Sequence, residues 1–242
     1  MLKLLNFVLF SGTLLLAGTS VRGFEDTTER VPFHGPDKRP GYPDAFQYRY
    51  VLPKDAISPN GKYGLIFPAR ALAEAENDTL NDFVVSLEPS QILTRLDAEN
   101  PEFEGKSNGG YEIAWSPDSS VALITLEARW GPGEFFLIEF QDGKVGRITN
   151  LDEKIRQLLE PDFRKAKVDR FNDSVGFTYE YLESQAPFCK LEKSTLVRID
   201  AFVTNDPKGD NPWRARLRAV WDIRNAKFVE QHVSRPPNRS EK

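Results

Sequence analysis

Tyr111–Thr149 reads YEIAWSPDSSVALITLEARWGPGEFFLIEFQDGKVGRIT, and its apolar rhythm decides the kind of fold this chain makes. Val121–Leu126 and Phe135–Phe140 are nearly unbroken apolar runs, the pattern of strands covered on both faces. Each run is short and holds β-branched or aromatic residues, which favours strand over helix. Ser116-Pro117-Asp118-Ser119 is a turn with a mechanism: proline presets its own backbone angle, and Ser and Asp side chains bond the nearby backbone. Gln141-Asp142-Gly143-Lys144 is the strongest hairpin signal, because glycine tolerates the positive φ of primed turns. The stretch therefore predicts one sheet unit of strand, turn, strand, Gly/Pro loop and hairpin.

Working outward, residues 1–20 have the form of a signal peptide. Lys3 supplies a positive start, Leu4–Ala17 is mostly apolar, and Gly18-Thr19-Ser20 offers small residues for cleavage. Cleavage is expected after Ser20, with Gly23 as the alternative; an uncleaved anchor is the competing reading. Without those twenty residues, 222 remain with 31 basic and 36 acidic side chains, a net charge of −5. That balance argues against nucleic acid or an anionic membrane as the main partner. No later stretch reaches transmembrane length, so no membrane span is expected after cleavage. Cys189 is the single cysteine, so an internal disulfide is impossible and stability must come from the core, which suits a bacterial envelope protein. Cys189 itself reads as a small buried residue rather than a reactive thiol.

Residues 21–45 are rich in Pro, Gly and charge and read as an extended arm, 46–233 as a β repeat domain, and 234–242 as a disordered tail. Within the domain, strands are expected at Phe46–Leu52 and Tyr63–Phe67, and at Phe83–Leu87 and Gln91–Leu96 around Glu88-Pro89-Ser90. Later strands are expected at Val175–Tyr181, Leu196–Val203, Arg214–Ile223 and Phe228–Val233. Asn150–Leu159 is the one expected helix: Asn150 caps it, acids fill its first turn, and Leu151, Ile155, Leu158 and Leu159 form one apolar stripe before Pro161 stops it.

The turns repeat. Ser58-Pro59-Asn60-Gly61 and Ser116-Pro117-Asp118-Ser119 lie 58 residues apart, and Asp173-Ser174 follows Ser119-Ser120 at 54, so three similar units are expected from Ile57 to Val233. Ile57–Phe67 and Ala114–Thr125 resemble the repeats of Tol-type and WD-type β-propellers, in which a Ser-Pro-Asp-Gly turn joins the first two strands of a blade. Val220–Val229 similarly resembles the closing hairpin of a WD-type blade. Asn60 and Ser119 depart from the usual Asp-Gly pair, and the third unit lacks the proline. The resemblance implies an all-β fold with one short helix and three to four blade-like antiparallel sheet units, a small or incomplete propeller. At about 40–50 residues a blade, the chain is too short for six or seven blades.

Candidate chemistry is sparse. His34 lies in the arm and His232 near the tail, so neither a Ser/His/Asp arrangement nor a zinc site has the residues it needs close in sequence. No phosphate-cradling glycine loop is present, and no catalytic residue, metal site or cofactor is expected. Nothing picks one carboxylate pair out of 36 acids. One constellation remains. In a propeller the second-to-third-strand loops open on one face; here these would be Pro68–Asp82, Arg129–Glu134 and Leu182–Ser194. Arg129, Trp130 and Glu134 place a cation, a large aromatic and an acid at one loop tip, and exposed Trp and Arg are common interface anchors. The alternative is that Trp130 tucks under its own loop. Trp115 and Trp221, inside strands, are expected in the core. The expectation is an exported, non-catalytic binding or scaffolding protein of the cell envelope, with a protein or envelope polymer as partner. The alternatives are an envelope-polymer hydrolase using two carboxylates, or an accessory or inhibitor of another exported factor.

Overall fold

A computed structural model describes residues 30–31, 50–68, 82–96, 111–127, 132–172, 175–180, 188–209 and 212–235. These form three antiparallel sheets and one α-helix. The first sheet runs in the order β1 (Arg30–Val31), β2 (Tyr50–Pro53), β3 (Tyr63–Pro68), β4 (Asp82–Leu87), β5 (Ser90–Leu96). The second runs β6 (Tyr111–Trp115), β7 (Val121–Glu127), β8 (Pro132–Gln141), β9 (Lys144–Asn150). The third holds β12 (Leu196–Thr204), β13 (Arg214–Asp222) and β14 (Lys227–Ser234), with two short strands, β10 (Thr178–Tyr179) and β11 (Cys189–Glu192), sharing the free edge of β12. The described residues thus form an all-β, small or incomplete propeller-like stack of three blade-like sheets with one helix.

The middle sheet explains the unbroken apolar runs. Val121 and Leu123 of β7, with Phe135 and Leu137 of β8, enter one core together with the third sheet and the helix. Their neighbours Ala122, Ile124, Leu126, Phe136, Ile138 and Phe140 enter a second core with the first sheet. Side chains alternate across a strand, so a sheet between two others needs apolar residues at every position. Stacked rings join sheets one and two: Tyr63 lies 4.3 Å from Phe140, and Phe67 lies 4.1 Å from Tyr111. Trp221 is buried and Trp115 packs against the second core, as expected from their strands.

The two Ser-Pro turns share one hydrogen-bond plan. The Val121 amide donates to Ser116 Oγ at 2.9 Å, and the Tyr63 amide donates to Ser58 Oγ at 2.9 Å. Each hydroxyl in turn donates to the next acceptor, Ser116 to Asp118 Oδ1 at 2.6 Å and Ser58 to Asn60 Oδ1 at 2.8 Å. Gly61 and Ser119 occupy the same left-handed position, with φ of 70° and 60°. Asparagine thus replaces aspartate without loss of the acceptor, and Ser119 takes a conformation that glycine adopts more readily. The turns also touch one another. The Asn60 amide donates to Ser119 Oγ at 3.0 Å, and Ser194, in the third sheet's turn, bonds Asp118.

The third unit departs from the expected repeat. Its first turn is Lys193–Thr195, between β11 and β12, and not Asp173-Ser174, which lies outside the described residues. It is shorter, has no proline, and begins 77 residues after Ser116. The equivalence survives in the backbone: the Ile223 amide donates to the Thr195 carbonyl at 3.0 Å, as Phe140 does to Ser120 and Leu87 to Lys62, both at 2.8 Å. The extra length holds the helix and an interruption in the first strand, where β10 pairs with Thr204 and Val203 and β11 with Ile199–Leu196.

The helix, α1 (Leu151–Ala166), starts where expected, with Asn150 Oδ1 accepting from the Glu153 amide at 3.1 Å. It continues through Pro161, which costs one amide bond. The continuation buries Phe163 among Phe177 and Trp213, at 5.5 and 5.1 Å between ring centres, which offsets that loss. Gly176 makes room, since a Cβ there would lie 2.6 Å from the Phe163 ring. The arm expected at 21–45 contributes β1, which pairs with β2; residues 1–20 and 236–242 lie outside the described residues.

Two adjacent residues test the sandwiched sheet. Leu137→Ala and Ile138→Ala should each lower unfolding free energy by about 2–5 kcal/mol in urea titrations. If either is neutral, one face of β8 is not packed. Acid titration tests the turn lock. Hydrogen bonds from Ser116 and then Ser120 hold the exposed Asp118 carboxyl well below the usual carboxylate range. A lowered folded pKa stabilises above the unfolded value of about 4 and the benefit is lost as pH falls. The stability gap between wild type and Asp118→Ala should therefore be widest above pH 5 and narrow toward pH 2, measured by thermal melts across that range.

Candidate functional site

Because β3 and β7 both run away from interlocked turns, their far ends reach the same end of the stack. Chain segment 69–81 leaves there from β3 and returns at Asp82; segment 128–131 leaves β7 and returns at Pro132. Segment 181–187 interrupts the third sheet's first strand between Glu180 and Phe188. Phe135 of β8 meets Tyr179 at 5.2 Å and Phe188 at 6.5 Å, so segments 128–131 and 181–187 spring from neighbouring points. Arg129 and Trp130 lie outside the described residues. The loop expected as Leu182–Ser194 is corrected: the second-to-third-strand connection of this sheet is 205–213, because β12 extends to Thr204 and β13 begins at Arg214.

Glu134, the third residue of the expected constellation, is 2% exposed, so it forms the base of this end and not its tip. Beside it stands a polar network under α1. Asp152 Oδ1 accepts from the Tyr179 hydroxyl at 2.5 Å, and its Oδ2 accepts from Arg156 Nε at 2.7 Å. Arg156 Nη1 donates to the Phe177 carbonyl at 2.7 Å, and its guanidinium lies 5.3 and 5.4 Å from the Phe177 and Tyr179 ring centres. Burial works against the charge on Arg156, but Asp152, Tyr179 and Glu134 outweigh it and raise its pKa. Burial, with Asp152 beside it, pushes the Tyr179 phenol well up, so it stays a neutral donor. One residue further, Glu180 pairs with Arg214 in a buried bridge at 3.0 Å.

Chemically this is a set of fixed charges. Asp152 accepts from Tyr179 on one oxygen and from Arg156 on the other, so the three side chains are engaged with one another. Cys189 is buried, and burial followed by Asp152 and Glu112 pushes its thiol well up, away from the reactive thiolate. At the start of β4, burial pushes the half-buried Asp82 carboxyl up to about 7. Among the described residues no group of three or more His, Cys, Asp or Glu is placed to hold a metal ion, and no helix is long and apolar enough to cross a membrane.

Sequence reasoning missed Asp152, Arg156, Tyr179, Glu180 and Arg214. The Asp152–Arg156 spacing of four in a helix was a readable signal. Tyr179 was not readable as a partner, since it lies 27 residues from Asp152. No protein-family model matches this chain, and no curated protein or solved structure matches it.

The network is a clamp between helix and sheet. Tyr179→Phe should cost about 1–3 kcal/mol, the penalty for a buried acceptor losing its donor. Arg156→Met should cost more, yet less than the roughly 3–5 kcal/mol of a fully buried pair, because Arg156 keeps part of its side chain in solvent. Equal, negligible shifts in melting temperature for both variants would show that the clamp is not formed.

Proposed function

We propose that this protein is an exported, non-catalytic binding or scaffolding module of the cell envelope, which recognises an envelope polymer or protein through the end of the stack that carries Arg129 and Trp130. One observation supports this most. Short interlocked turns close one end of the sheets, while the strand ends that bound segments 69–81 and 128–131 lie at the other, the end of β8 beside Tyr179 and its Asp152–Arg156 network. Connecting segments held on a rigid scaffold are the usual carriers of recognition. The signal-peptide form of residues 1–20, the single cysteine and the net acidic balance support the compartment.

The hydrolase reading has one observation in its favour: Asp82, at this same end, has a carboxyl near neutrality, the range a general acid needs. The two readings separate in one assay. The purified full chain is incubated with isolated cell-wall polymer, and both sedimentation and release of soluble fragments are followed. The binding reading expects co-sedimentation without fragments, weakened about tenfold or more by Trp130→Ala at unchanged melting temperature. Fragment release that Asp82→Asn abolishes would replace it with the hydrolase. N-terminal sequencing of protein from the periplasm should find Val21 first.

A further inference from the structure

The outer face of the third sheet lies away from the loop end and carries a shallow recess of about 470 Å³. Two cross-strand rows line it: Arg198, Val220 and Glu230, then Asp200, Arg218 and His232. Its charges are not equally available. Arg198 is committed to Glu192 by two bonds of 2.8 and 3.1 Å. Asp200 is committed to Arg216 by two bonds of 2.6 Å, with the Arg216 guanidinium 4.4 Å from the Phe202 ring centre. Arg218 is held more loosely. It approaches Asp200 only to 3.8 Å and leaves 60% of its side chain in solvent. Glu230 makes no direct hydrogen bond or ion pair among the described residues, and its carboxylate acts on Arg198 of the same row only through space.

Arg218 and Glu230 are therefore the most loosely engaged cation and anion of the recess, on adjacent strands and offset by one row, with His232 directly across from Arg218. Diagonal neighbours on paired strands are about 7–8 Å apart, a gap that a small bridging molecule spans but two directly paired side chains need not close. We propose that this recess binds a small zwitterion of the α-amino-acid type. Its carboxylate would lie on the Arg218 fork and the His232 ring, and its ammonium on Glu230. A planar guanidinium matches a carboxylate with two parallel hydrogen bonds, and a simple anion would be opposed by Glu230.

The chain has two histidines, so the C–H proton of the His232 ring is a direct reporter, with His34 as the internal control. Proton NMR of the full chain is recorded at constant pH while alanine, acetate or ethylammonium is added, and His34→Gln assigns the two signals. Alanine should move the His232 signal saturably at millimolar concentration, because exposed ion pairs are weak. Acetate and ethylammonium at equal concentration should not. Arg218→Gln and Glu230→Gln should each weaken the response about tenfold or more. Arg218→Lys keeps the charge without the fork and should weaken it several-fold, which guards against a variant that fails to fold. An acetate response equal to that of alanine overturns the zwitterion, and a His232 signal that alanine leaves still overturns the site.

Discussion

Burial of the middle sheet on both faces is the constraint from which the rest of the architecture follows. Leu137 enters one core and Ile138 the other, so a one-residue slip of β8 would exchange the two cores' side chains. Each outer sheet therefore packs against a surface already set by its neighbour. The first sheet meets it through stacked rings, and the third through Phe135, α1 and the aromatic cluster of Phe163, Phe177 and Trp213. Fully buried aliphatic and aromatic side chains each contribute roughly 1.5–3 kcal/mol of transfer free energy, so these two interfaces dominate the stability of a chain without a disulfide.

Polar contacts set the relative positions of the sheets rather than their cohesion. The three turns touch edge to edge through Asn60, Ser119, Asp118 and Ser194. Arg147 on β9, paired with Glu139, donates to the Ile223 carbonyl at the β13–β14 turn and so ties the second sheet to the third. At the other end, Asp152, Arg156 and Tyr179 pin the helix to the third sheet's inner strand. Apolar burial is non-directional, and these bonds supply the direction.

The outer face of the third sheet marks where the stack stops. A propeller blade in mid-ring offers apolar residues to the next blade, as β7 and β8 do. On β12 and β13 the outward positions include Arg198, Asp200, Arg216 and Arg218 instead, and desolvating them against another sheet would be costly. The fold thus leaves two surfaces of different character, a loop-bearing end and a charged sheet face.

Much of the strand plan was legible because its signals are local. The double-sided apolar runs of β7 and β8, the Ser-Pro turns, the Asp142-Gly143 hairpin and the Asn150 cap each depend on residues a few positions apart. Glu134 was legible as a residue of the loop end, but its burial was not. The third turn was misplaced because a three-residue connection at Lys193–Thr195 has no proline to announce it, and because the strand before it is broken in two. What only the tertiary structure decided was which distant groups became neighbours: Tyr179 with Asp152 across 27 residues, and Arg147 with Ile223 across 76. Periodicity records which face of a strand is apolar, whereas a partner on another sheet depends on how loops close and cores fill, and neither leaves a spacing to read.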